Sequence, residues 1–152
     1  MIDAPRPPPM VLHQAGCIAV GGRGILIEGP PGSGKTTLAL MLLDRGAALV
    51  GDDGVELAIR LGHLWAMPPA HTAGKLEIRG VGIIDLPVTQ APVSLRLILS
   101  PDAPRYIEQA DSSEVAGARL PTLLFDPGGA AAAIRAEYAL DLHGLPMPAG
   151  SG

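Results

Sequence analysis

The stretch 24-GILIEGPPGSGKTTLALMLLDRGAALVGDD-53 decides how this chain is read. Residues 24–28 form a short, largely apolar strand, and 29-GPPGSG-34 follows as a glycine-rich turn. Residues 35–45 then read as a helix. Leu38, Leu42 and Leu43, with Ala39 between them, lay an apolar stripe along one side. Gly46 is its expected C-cap. Residues 47–50 are a second buried strand, ending at Gly51-Asp52-Asp53. Strand, turn, helix and strand make one βαβ-type unit.

Inside this unit, Gly29-x-x-x-x-Gly34-Lys35-Thr36 fits the P-loop pattern. Glycines let successive backbone N–H groups curl around a phosphate, and the helix N-terminus beyond adds the positive end of its dipole. Lys35 has the reach for β- and γ-phosphates, and the Thr36 hydroxyl can ligate Mg²⁺. The candidate nucleotide-binding set is Gly29, Pro30, Pro31, Gly32, Ser33, Gly34, Lys35, Thr36 and Thr37. Asp52 and Asp53 end the next strand, where ligands of open α/β sheets bind. One carboxylate there can hold Mg²⁺ and the other accept a proton from an attacking hydroxyl. The alternative is that one of them only caps a turn. Carrying the acidic pair on the strand directly after the P-loop helix argues against a generic GTPase or AAA-type reading.

Outward from this unit the pattern is coarser. Residues 11–20 read as strand, and 57–59 with 63–66 as a hairpin or two short strands. Residues 93–99 alternate well enough for a strand, 101–117 are polar and surface-like, and 119–125 are a last strand. Asp126-Pro127 reads as a cap with Pro at the first helical position, opening a helix over 128–143. The expected organisation is a flexible Pro-rich lead-in over 1–10, a single P-loop domain over 11–144 and a frayed tail over 145–152. The 152 residues suit one domain. Gly 20 and Pro 16 are high, but cluster in the P-loop, near 80–82 and in the tails.

The net charge of -4, with no basic run, makes a general nucleic-acid binder a poor reading. The lone Cys17 excludes an internal disulfide and a Cys-based zinc site and reads as a small buried side chain. No unbroken apolar stretch is long enough for a membrane helix, so a cytoplasmic protein is expected. Only two lysines occur, Lys35 and Lys75. The second heads 75-KLEIRGVGIIDL-86, where Lys75, Glu77 and Arg79 would share one face of a strand. Glu77 can serve a metal, and Arg79 can neutralise a transferred phosphate or hold Glu77. A surface salt-bridge ladder explains the same residues equally well.

Three features in this order and spacing, 29-GPPGSGKT-36, Asp52-Asp53 and 76-LEIRGVGII-84, resemble the catalytic domain of HPr kinase/phosphorylase, in a short form without that family's N-terminal domain. The resemblance runs from about His13 to the last helix. It implies an α/β P-loop fold of the HPr kinase and phosphoenolpyruvate carboxykinase type, a mixed sheet with flanking helices. It also implies ATP and Mg²⁺ as cofactors, the phosphocarrier HPr as the serine-bearing substrate, and a homo-oligomer, usually a hexamer. Asp52 would be the base toward the serine, with Lys35 and Arg79 assisting the transfer. Asp53 would orient the site, partly through His13, and Thr36, Glu77 and Asp53 would surround the Mg²⁺. His63, His71 and His143 have no such support and read as structural or surface residues. Many family members also run phosphorolysis of phosphoserine-HPr. Here residues 86–92 are short and lack the phosphate-binding arginine of longer members, with Arg105 a later candidate, so that second activity stays open. The rival readings are a small-molecule P-loop kinase and a noncatalytic regulatory nucleotide-binding module.

Overall fold

The computed structural model describes residues 10–149; all of the expected lead-in but Met10 lies outside them, as do 150–152. The described chain runs β1 (Val11–His13), β2 (Gly16–Val20), β3 (Arg23–Glu28), α1 (Lys35–Asp44), β4 (Ala48–Gly51), β5 (Val55–Arg60), β6 (His63–Met67), β7 (Lys75–Ile78), β8 (Gly82–Asp85), β9 (Ala91–Leu99), β10 (Asp111–Val115), β11 (Ala118–Phe125) and α2 (Ala132–His143). The main sheet has the order β1-β5-β6-β9-β3-β2-β4, with β11 added on β9 and β10 on β11. The pairs β3/β9 and β9/β11 are parallel and the others antiparallel, so the sheet is mixed. β7 and β8 form a separate two-stranded sheet.

The strands bury two faces by simple alternation. Ile18, Ile25, Ile27, Leu49, Leu95 and Leu97 point to one side and pack with Leu38 and Leu42 of α1 and Ala136 and Leu140 of α2. Cys17, Leu26, Val50 and Val93 point to the other and meet Leu57, Leu64 and Ala66 of the β5–β6 hairpin and Leu120 of β11. Each fully buried Leu or Ile contributes roughly 1.5–3 kcal/mol of transfer free energy. One face is thus closed by helices and the other by the sheet curling over itself. Cys17 is fully buried, and burial pushes its thiol up to about 12, so it is an inert core residue.

Five sequence expectations change. The βαβ-type unit is split: β4 pairs with β2, which lies antiparallel between β3 and β4. A tight Gly21-Gly22 turn folds β2 onto β3 and so takes the neighbouring position first. β3 and β4 still run parallel, and their carboxyl ends share one edge. The strand expected over 11–20 breaks at Gln14-Ala15, and its first part crosses to pair with β5. Within the surface stretch 101–117 lies β10, whose residues DSSEV are polar. It pairs with β11 through an Ala116-Gly117 turn with both φ positive, 49° and 87°, as a two-residue hairpin of the inverse type requires.

The last helix begins at Ala132, four residues after the expected start. The Asp126 carboxylate does accept a backbone N–H, that of Gly128 at 2.9 Å, but it closes a turn. Gly129 then takes φ 88°, which stops helix there. The end of α1 follows expectation: Gly46 N–H donates to the Leu43 carbonyl at 3.0 Å and Ala47 N–H to Leu42 at 3.1 Å, a Schellman closure. Leu145, where the tail was expected to begin, is tied down. Its N–H donates to the Ser94 carbonyl at 2.9 Å, and its own carbonyl accepts from Arg23 at 3.1 Å.

Candidate functional site

The carboxyl ends of β3 and β4 meet the N-terminus of α1, and the candidate site is built there. Residues 29–34 leave β3 and wrap back to α1, with Ser33 N–H donating to the Pro30 carbonyl at 3.1 Å. Gly29 lets the loop pack closely on itself: a Cβ there would lie 2.5 Å from Ser33 Oγ and 3.3 Å from Leu99 Cβ, so Ser33 would have to move. Gly34 starts α1 with φ 102°. Lys35 Nζ donates to the Gly29 carbonyl at 2.6 Å and to the Pro30 carbonyl at 3.2 Å, which holds the ammonium over the loop. Ser33 Oγ is buried with no hydrogen-bond partner. A buried hydroxyl without a partner is costly, and a phosphate oxygen in this loop would satisfy it. The residues therefore fit a nucleotide polyphosphate.

Asp52 and Asp53 stand across from the loop in the β4–β5 turn. Thr36 Oγ1 donates to Asp52 Oδ1 at 3.2 Å. Burial and the like charge of Asp53 push the Asp52 carboxyl above its usual range, with Glu77 adding to them and Thr36 and Lys35 opposing. Such a carboxylate is a stronger base than an exposed one. Asp53 has φ 61°, the left-handed region that Asp tolerates better than most side chains.

Two cavities meet at these carboxylates. One, of about 550 Å³, runs over the P-loop and is lined by Gly34, Lys35, Thr36, Asp52, Glu77 and Arg79 among others. The second, of about 570 Å³, continues beyond the aspartates and is lined by Leu12, Asp52, Asp53, His71, Glu77 and Ile83 among others. Asp52, Asp53 and Glu77 belong to both walls. Among the described residues no cluster of three or more His, Cys, Asp or Glu forms a metal cage by itself. That donor set, one hydroxyl and scattered carboxylates, suits Mg²⁺, which takes one or two protein oxygens together with phosphate oxygens and water.

The expected residues fall in three groups. Residues 31, 32 and 34–37 and Asp52, Asp53, Glu77 and Arg79 line the P-loop cavity together. Lys75 does not join a Lys75–Glu77–Arg79 ladder. It pairs across the hairpin with Asp85 at 2.5 Å, and Arg79 lies beyond the end of β7. His13 does not reach Asp53 in this structure: its Nε2 lies 3.3 Å from Glu28 Oε2, without the alignment of a hydrogen bond. Arg105 lines neither cavity; it borders a groove between residues 103–107 and α2.

Sequence reasoning missed several neighbours. His71 lines the second cavity, whereas His63 is structural, its Nε2 3.1 Å from the Val93 carbonyl. Glu28, the residue before the P-loop, is held by both Arg96 and His13. These contacts outweigh burial, which acts the other way, and bring its carboxyl down to about 2. The available signal was a charge at each of two otherwise apolar strand positions, since buried charges require partners.

A P-loop between a strand of the mixed sheet and a helix, faced by paired aspartates on a split β-α-β unit, defines a P-loop nucleotide-binding protein. The family model for the HPr Serine kinase C-terminal domain matches residues 9–90, more than half of the chain, and the chain belongs to that family. The HPr kinase/phosphorylase of Clostridium tetani (strain Massachusetts / E88) is 44% identical over 86 residues, 57% of this chain and 28% of that protein. The one from Clostridium beijerinckii is 48% identical over 69 residues, 45% of this chain and 23% of that protein. The chain thus aligns with about a quarter of these relatives' length. Among solved structures, the Hpr(Ser) kinase/phosphatase from Coxiella burnetii superposes with a TM-score of 0.76 at 27% identity, covering 86% of this chain and 94% of that one.

Proposed function

We propose that the protein is an ATP- and Mg²⁺-dependent serine kinase acting on the phosphocarrier HPr. One observation carries the reading: the P-loop cavity and the second cavity share Asp52, Asp53 and Glu77 as a common wall. A phosphoryl donor on one side and a hydroxyl on the other would meet there. Lys35 and the loop amides would bind the β- and γ-phosphates and counter the charge that builds on the transferring group. Asp52 would accept the serine proton while the serine oxygen bonds to phosphorus and the phosphoanhydride bond breaks, leaving ADP. Thr36, Asp53 and Glu77 would hold Mg²⁺, which would supply neutralisation of phosphate charge. Arg79, on the wall of the P-loop cavity, would stabilise the transferred phosphate.

The second cavity is mainly apolar at its rim, with Leu12 71% and Ile83 69% exposed. A small-molecule acceptor needs a concave pocket that buries most of its surface, whereas an exposed apolar rim suits a protein surface around its serine. This favours a protein acceptor over the small-molecule rival. Self-association belongs to the same reading: Ile134, Tyr138 and Leu142 recur every four residues along α2 and are exposed. No helix among the described residues is long and apolar enough to cross a membrane, and a cytoplasmic setting goes with these substrates. Phosphorolysis would need a second anion contact, for which Arg79 on the wall of the P-loop cavity is the candidate.

The test is direct. Purified protein, HPr, ATP and Mg²⁺ are combined, and phosphoserine on HPr is followed by mass spectrometry. Stoichiometric phosphoserine supports the reading. ATP binding without any transfer would favour a noncatalytic nucleotide-binding module instead.

A further inference from the structure

Behind the P-loop, on the face of the sheet away from the helices, lies a polar chain that the transfer chemistry above does not use. Arg96 grips Glu28 with two nitrogens, Nε to Oε2 at 2.5 Å and Nη2 to Oε1 at 2.8 Å. Its third nitrogen, Nη1, donates to Ser113 Oγ at 3.0 Å. The Ser113 and Thr122 hydroxyls are bonded to each other, and Thr122 Oγ1 donates to the Leu120 carbonyl at 3.0 Å. At the other end, Glu28 Oε2 faces His13 Nε2. The chain crosses the neighbouring strands β10, β11, β9 and β3 and reaches β1, which belongs to the far end of the curled sheet.

Such a chain is not needed to hold a sheet together, because well-packed apolar side chains of similar volume do that at least as well as a buried ion pair. Its two ends instead lie at functional places. Glu28 is bonded directly to Gly29, whose carbonyl carries Lys35 Nζ. His13 is the neighbour of Leu12, which lines the second cavity. β1 is three residues long and is paired on one edge, to β5, so side-chain contacts must fix its position. The His13 Nε2 atom is buried, and the Glu28 carboxylate at 3.3 Å is the charged group beside it. A guanidinium fork is what fixes a carboxylate in one orientation; an ammonium does not.

We propose that Arg96 and Glu28 are positioning residues for phosphoryl transfer, holding His13 and the β1 wall of the second cavity against the root of the P-loop. This rests on the kinase reading. Glu28 acts through His13, so removing either breaks the same device.

A double-mutant cycle tests it. Transfer to HPr, ATP affinity and melting temperature are measured for Glu28→Gln, His13→Asn, the double variant and Arg96→Lys. Each single variant is expected to lower kcat/KM toward HPr about tenfold or more while ATP affinity changes less than about threefold. The double variant is expected to be no worse than the weaker single, within about twofold. Arg96→Lys should behave as Glu28→Gln, since it keeps the charge and loses the fork. If Glu28→Gln does not fold, Glu28→Asp carries the same cycle. Losses that multiply in the double variant, or that scale with melting temperature and ATP affinity alike, would overturn the inference while leaving the kinase reading standing. A wild-type chain that transfers nothing to HPr removes both.

Discussion

The two cavities that meet at Asp52 are built in different ways. The P-loop cavity comes from one continuous segment: backbone of residues 29–34, the first turn of α1 and the end of β4. Its geometry follows from local rules, such as the close packing of Ser33 over Gly29. The second cavity is assembled from β1, the β4–β5 turn, residues 69–72 and the β7–β8 hairpin. Its walls depend on long-range packing, and in our proposal on the partly buried Glu28–Arg96 pair as well. The first cavity should therefore be sensitive to single side chains that touch phosphate. The second should be sensitive to residues that only position its walls.

The largest effect is expected inside the first cavity. Lys35→Ala removes the compact cation that the loop carbonyls hold. It should cut transfer by about 10²–10³-fold and weaken ATP binding as well. Isothermal titration with ATP beside a transfer assay checks both. A response confined to HPr affinity would break the division between the cavities.

At the rim of the second cavity, Ile83→Glu puts a charge on an exposed apolar side chain. It should raise KM for HPr about tenfold, with ATP affinity and folding unchanged. Loss of ATP binding in that variant would show that the two cavities are not separable.

Glu28 predicts an acid-side loss of stability. Its folded carboxyl lies at about 2, below the ordinary 4.5, because His13 and Arg96 outweigh burial. A depressed carboxyl contributes stability that is full above about 4.5 and disappears as pH falls toward about 2. After allowance for solvent screening this is about 1–2 kcal/mol. Urea unfolding of wild type and Glu28→Gln should thus differ at pH 6 and converge toward pH 2. A difference that stays constant across that window would contradict the contact.

Asp52 has the opposite sign. Its carboxyl is raised by burial and by Asp53, so the ionised form is disfavoured in the folded state. The fold gains stability as pH falls through that raised value. Asp52→Asn should therefore melt slightly higher at neutral pH, by roughly 1–3 °C, on the scale expected of a small stabilisation in a domain of this size. Differential scanning calorimetry at pH 7 reads the effect. A lower melting temperature would mean that the carboxylate is a structural partner and not a strained functional group.

These contrasts also explain what the chain's sequence displayed. The P-loop, α1 with its Gly46 closure and the aspartate pair were legible because each is a local pattern within a dozen residues. The order of the strands was not. Whether β4 would sit beside β3 or beyond β2 depends on which partner reaches β3 first, and a Gly21-Gly22 turn settles that in favour of β2. β10 was hidden because a strand with one solvated face and an Ala-Gly turn carries neither an apolar run nor the usual Asn-Gly signal. The role expected for His13 pointed to Asp53, whereas the carboxylate beside it is Glu28, fifteen positions further along the chain and on a strand that does not pair with β1. Arg96 was a lone charge in an apolar strand, and its partner could be named only once β3 lay beside β9.

The account's central claim is that Asp52 stands between donor and acceptor and takes the serine proton. The most direct test separates binding from transfer in Asp52→Asn, which keeps the shape and the Thr36 contact. ATP affinity should stay within about threefold of wild type, while phosphoserine formation on HPr falls by about 10²–10⁴-fold, the range that general-base removal spans. Transfer that persists near the wild-type rate in that variant would contradict the claim.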